Sequence, residues 1–104
     1  MEDIDVTQNI KLVEKLKSEL LSSVAELYRQ MFSATDIKDM TETISDVIIF
    51  TYLLGNKLGI GSEAIDLKAV SKLKLNVVEK NILYNESLRL LKHISRNGGN
   101  KNRV

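Results

Sequence analysis

A chain of 104 residues with 43% hydrophobic side chains is one domain's worth of sequence, with no proline and only five glycines to interrupt long helices or supply turns. That composition excludes a many-stranded β fold and sets the class as all-α. The absence of cysteine excludes a disulfide framework, a thiolate metal site and a thiol nucleophile. A net charge of +1, from 15 basic and 14 acidic residues, offers no large field for gripping a phosphate backbone, so nucleic acid is not the expected partner.

Apolar residues at Val13, Leu16, Leu20, Val24, Leu27 and Met31 recur at three- and four-residue spacing and predict a first helix from about Thr7 to Phe32. Its polar face carries Lys15, Glu19, Ser22, Glu26 and Arg29. Ser33-Ala34-Thr35-Asp36 follows, with Thr35 or Asp36 as the cap of a second helix. That helix is defined by Ile37, Met40, Ile44, Val47 or Ile48, Thr51, Leu54 and Leu58, and Gly59 suits a left-handed C-terminal cap. Projected at ~100° per residue, Ile49, Phe50 and Leu53 fall away from the Ile44 and Ile48 stripe, so the second helix is apolar nearly all round. Burial on both sides is therefore expected, with a second subunit helping to cover one of them.

Ser62 is the expected cap of a third helix through about Glu79, with Ile65, Val70, Leu73 and Val77 inward. Asn85 is the expected cap of a fourth, with Leu88, Leu91 and Ile94 inward. A single domain over residues 1–95 is followed by a mobile basic tail over 96–104 that carries Arg96, Lys101 and Arg103. The longest strongly apolar run, Val47 to Leu54, is far below the ~20 residues that span a bilayer. No apolar stretch follows a basic start, so no membrane partner and a cytoplasmic location are expected.

Two segments echo one another on the first two helices: Ser22-Ser23-Val24-Ala25-Glu26-Leu27 and Glu42-Thr43-Ile44-Ser45-Asp46-Val47. Each sets a carboxylate among aliphatic residues, where an acid is costly unless paired, hydrogen-bonded or bound to a cation. Brought together across an antiparallel helix pair, Glu26 and Asp46 make a two-carboxylate site of the kind that holds a hard cation such as Mg²⁺. Glu42, four residues before Asp46 and ~6 Å from it along the axis, shares its helix face. Glu19, ~10 Å from Glu26, is placed for a second ion or a substrate.

These segments resemble the MazG-like nucleoside triphosphate pyrophosphohydrolases of the all-α NTP pyrophosphatase superfamily. The family's first motif has the form Glu-Glu-x-x-Glu-Leu, matched here by Ser22-Ser23-Val24-Ala25-Glu26-Leu27. Its second has the form Glu-Glu-Leu-Gly-Asp-Val and leads through an aliphatic helix to Leu-Gly-Ile, matched by Glu42 to Val47 and then Leu58-Gly59-Ile60. A Lys-Leu-x-x-Asn pattern follows as Lys72-Leu73-Lys74-Leu75-Asn76, so the resemblance covers roughly residues 10 to 80.

The resemblance implies a four-helix MazG-like bundle completed by oligomerisation, as a homodimer or higher homo-oligomer. It also implies attack of water on a nucleoside triphosphate with Mg²⁺, or Mn²⁺ in its place, releasing monophosphate and pyrophosphate. On that resemblance Glu26 and Asp46 are metal ligands, with Glu42 a substitute ligand, while Lys72 and Asn76 face substrate phosphate or sugar. Ser23 and Thr43 stand where the family has two further acids. Hydroxyls coordinate Mg²⁺ without neutralising it, which weakens the site. Two functions stay open: a pyrophosphohydrolase or nucleotide binder of reduced activity, and a non-catalytic scaffold or regulatory module built on the same bundle.

Simpler roles remain for the same residues. Glu26 and Asp46 can be edge acids balanced by Arg29, Lys72 or Lys74, and Lys72 with Asn76 a solvated strip. Ser22 and Ser23 can be small residues that let helices approach closely. His93 reads as a surface residue, and Tyr28, Phe32, Phe50, Tyr52 and Tyr84 as core or interface residues, with Phe50 or Tyr52 able to stack on a base.

Overall fold

The computed structural model describes the backbone of residues 2–101 and the side chains of residues 6–96. The described residues form four α-helices and no strand: α1 (Glu2–Phe32), α2 (Ile37–Lys57), α3 (Ser62–Glu79) and α4 (Tyr84–Lys101). The all-α class and the four helices are thus as expected from the sequence. The chain divides into two compact units, Met1–Ser62 and Glu63–Val104. No described helix is long and apolar enough to cross a membrane.

The first unit is a hairpin of α1 and α2, which pack against each other across a four-residue connection. On α1 the least exposed row is Val13, Leu16, Leu20, Ser23, Leu27 and Gln30, alternating three- and four-residue steps, with Leu16 and Gln30 fully buried. On α2 the matching row is Met40, Thr43, Val47, Phe50 and Leu54, with Thr43 fully buried. The helix begins at Glu2 rather than near Thr7, since neither proline nor glycine stands between them to stop it.

One expectation is corrected here. Ile44 and Ile48, expected on the inner stripe of α2, are 43% and 52% exposed. A helix that is apolar nearly all round offers more than one stripe of helical period, so periodicity alone does not choose between them. The inner row includes the polar Thr43, whose hydroxyl donates to the Asp39 carbonyl at 3.1 Å and so enters the seam already satisfied.

Asp36 rather than Thr35 caps α2: its Oδ1 accepts from the Lys38 amide at 3.2 Å, while the Thr35 hydroxyl lies 2.6 Å from that of Ser33. At the far end, Gly59 takes a φ of +88°. Its amide donates to Asn56 O at 3.0 Å and the Ile60 amide to Gly55 O at 2.9 Å, the paired bonds of a Schellman motif. The Asn56 carboxamide then donates to Ile60 O and Ser62 Oγ, fixing the exit from the hairpin.

In the second unit, Ile65, Val70, Leu73 and Val77 form the half-buried row of α3, and Leu88, Leu91 and Ile94 that of α4, as expected. The turn between them is polar. Asn81 Oδ1 accepts from the Leu83 amide at 2.9 Å, so Asn81 shapes the entry to α4, and Asn85, the expected cap, lies within its first turn. Asn81 Nδ2 donates to Asn76 Oδ1 at 2.7 Å, and Asn76 Nδ2 donates to the buried Ser87 hydroxyl at 3.0 Å. The α4 backbone stays helical through Lys101, and the tail expected over 96–104 falls outside the described side chains apart from the exposed Arg96.

Candidate functional site

Because only four residues join α1 to α2, the last turns of α1 lie beside the first turns of α2, and an open groove of about 530 Å³ runs between them. From α1 it is lined by Glu26, Arg29 and Gln30, from the connection by Ala34, Thr35 and Asp36, and from α2 by Asp39, Glu42, Thr43 and Asp46. Glu26, Glu42 and Asp46, the three metal ligands expected from the sequence, are therefore gathered in one place.

Glu26 is already engaged there. Arg29, one turn on, donates from Nε to Glu26 Oε1 at 2.9 Å and from Nη2 to Oε2, a two-pronged pair that a guanidinium is shaped to make. Gln30 Nε2 adds a bond to Oε2 at 3.2 Å. The Arg29 hydrogen bond holds the Glu26 carboxyl below its usual value against the opposing effect of desolvation, with the Arg29 charge and the Gln30 hydrogen bond adding to the lowering. The same bond pushes the Arg29 guanidinium further up.

The other expected site residues are placed as follows. Ser23 and Thr43, at the positions where acids are expected, sit on the inner rows of α1 and α2, half-buried and buried. Glu19 is half-buried, pairs with Lys15 at 3.5 Å, and is absent from the groove lining. Lys72 and Asn76 belong to the second unit, where Lys72 is exposed and both ends of the Asn76 carboxamide are taken by Asn81 and Ser87.

Mg²⁺ needs near-octahedral oxygen donors at ~2.0–2.1 Å, usually with one or two carboxylates free to face it. Among the described residues no three acidic or histidine side chains converge closely enough to hold a metal ion. Glu26 is engaged by Arg29, while Glu42 and Asp46 have no ion pair among the described residues. As folded, the groove offers Glu42 and Asp46 as unpaired carboxylates, with no three-acid cluster among the described residues.

Periodicity did not point to Gln30, Asp36 or Asp39 as groove residues. A signal was present for one of them: Asp39, Glu42 and Asp46 fall within ~60° of each other around α2, a row of acids on one face. For Gln30 there was none, since its burial arises only when α2 is laid against α1.

An all-α chain with acids of both motifs on two packed helices is what the resemblance to a nucleotide-pyrophosphohydrolase-related fold leads one to expect. The MazG-like family model matches residues 6–88, and the chain belongs to that family. Comparison with curated proteins and with solved structures returns no match.

Proposed function

We propose that this chain is a homologue of the MazG-like nucleoside triphosphate pyrophosphohydrolases that has lost efficient hydrolysis and serves as a non-catalytic helical interaction or regulatory module. The observation that carries this is the Glu26–Arg29 pair: the one acid kept from the first motif is bound to a guanidinium, where Mg²⁺ chemistry requires it to face the metal. The hydroxyls of Ser23 and Thr43 supply none of the charge that the two missing acids would bring.

A second reading, slow Mg²⁺- or Mn²⁺-dependent hydrolysis or binding of a nucleoside triphosphate, is favoured by the gathering of Glu26, Glu42 and Asp46 in one groove. If Arg29 swung out, two or three carboxylates would be available to a metal–triphosphate complex. Pyrophosphate release from a panel of ribo- and deoxyribonucleoside triphosphates separates the two. The expected result is no turnover above that of Glu26→Ala and Asp46→Ala. Turnover that both substitutions abolish would establish the second reading and identify the base.

A further inference from the structure

The net charge of +1 conceals a division along the chain. Met1–Ser62 carries ten acids and six bases, whereas Glu63–Val104 carries four acids and nine bases, so the second unit is strongly basic. Charge gathered in one half of a chain points to an anionic partner for that half.

Within that unit α3 has two apolar faces. Ile65, Val70, Leu73 and Val77 form its half-buried row. Projected at ~100° per residue, Ala64, Leu67, Ser71, Leu75 and Val78 fall within ~80° of one another on the other side. All five are exposed, Leu67 by 64%, Leu75 by 53% and Val78 by 77%, and the turn after the helix adds Ile82 at 94%. Lysines stand on both margins of this stripe, Lys74 on one and Lys68 and Lys72 on the other, with Glu79 the acid beside them. Among the described residues none of the three lysines has an acid at ion-pairing distance.

A second copy of α3 is a poor cover for this face, because lysine margins would meet lysine margins whichever way the two helices ran. The cores of protein interfaces favour aromatic residues and arginine and are depleted in lysine, and this stripe and its margins hold neither of the favoured kinds. Nucleic acid would answer the charge but give Leu67, Leu75 and Val78 nothing apolar to enter. An anionic lipid surface answers both. The apolar residues enter the boundary of the acyl chains, while the lysine stems lie along it with their ammonium groups at the level of the phosphates. No described helix is long and apolar enough to cross a membrane, so α3 would lie in the plane of the surface.

We propose that the outer face of α3, with Leu67, Leu75 and Val78 flanked by Lys68, Lys72 and Lys74, docks on the surface of an anionic bilayer. The inference stands on the second unit alone, whether or not the groove between α1 and α2 hydrolyses nucleotides.

Co-sedimentation of the full chain with vesicles of equal parts phosphatidylserine and phosphatidylcholine tests the proposal. Binding is expected there, and about tenfold or more weaker on phosphatidylcholine alone. Lys68→Gln/Lys72→Gln/Lys74→Gln should weaken it about a hundredfold, at roughly fivefold for each lysine at the surface. Leu67→Ala/Leu75→Ala should weaken it about tenfold. The control Lys11→Gln/Lys15→Gln/Lys17→Gln removes the same charge from exposed positions of α1 and should bind as the parent does. The lysine variant, altered only at exposed positions, decides the matter should the leucine variant lose its helical circular dichroism. No binding to the mixed vesicles, binding indifferent to phosphatidylserine, or equal weakening in the control would overturn the proposal. So would duplex DNA bound tenfold more tightly than the vesicles and equally well by the folded leucine variant, which would assign the face to nucleic acid.

Discussion

At the scale of single residues, the Glu26–Arg29 pair makes a titrating contact of an acid that the family resemblance marks as a metal ligand. Its folded pKa lies below the usual 4.5, so the carboxylate stays charged further into acid when folded than when unfolded. The pair's contribution is therefore whole above pH 4.5 and is lost as the pH falls through the lowered folded value. With both side chains well exposed, the effect is screened and modest. Urea midpoints of the parent and Arg29→Gln should separate above pH 4.5 and converge below it; curves that run parallel to low pH would show that the pair contributes nothing. That Glu26 and Asp46 would share a site was an expectation of the motif resemblance, and both line one groove, while Arg29 stood one turn from Glu26 in plain view. That Arg29 would point at Glu26 was not legible, because a surface arginine has many rotamers and only the folded groove selects one.

At the scale of the helix, boundaries followed local chemistry where a residue type admits one backbone conformation. Gly59 is the clear case: its φ of +88° is costly for any residue with a Cβ, so Gly59→Ala should lower stability by about 1 kcal/mol. Lys80 ends α3 at a φ of +52° through the same kind of turn, its amide bonding Val77 O and that of Asn81 bonding Asn76 O. Lys80→Gly should accordingly gain about 0.5–1 kcal/mol. Thermal or urea denaturation of both variants checks the pair, and shifts of the same sign would show that the backbone conformation is not what decides them. Where side chains negotiate with one another, sequence was a poorer guide. Asn76 matched a substrate-facing position by motif, yet its carboxamide spans Asn81 and Ser87 at the α3–α4 turn. Asn81 shapes the turn before α4 by accepting from the Leu83 amide, whereas Asn85, expected as the cap, lies inside the first turn of the helix.

At the scale of the whole molecule, the question is what covers α2. Ile44, Ile48, Ile49 and Leu53 are 43–52% exposed, and on α1 Leu21 and Met31 are 72% and 65% exposed. Leu16 is the only fully buried apolar side chain among the described residues. Complete burial of an aliphatic side chain is worth ~1.5–3 kcal/mol, so covering the exposed half of four on α2 would bring several kcal/mol to a small chain. A second copy would supply a covering surface of the same kind, since an apolar stripe on one α2 can meet the same stripe on another across a two-fold axis. The proposed state is a homodimer or higher homo-oligomer assembled through α2. Its stability then depends on mass action, so the melting temperature of the parent should rise with protein concentration. Ile48→Asp places a charge on that stripe without touching the inner row of Met40, Thr43, Val47, Phe50 and Leu54. Sedimentation equilibrium should find the parent at twice the chain mass or more, and the variant shifted towards a monomer that melts lower and independently of concentration. A parent that sediments as a monomer at micromolar concentration, with a melting temperature indifferent to dilution, would leave the exposed face of α2 to a different protein.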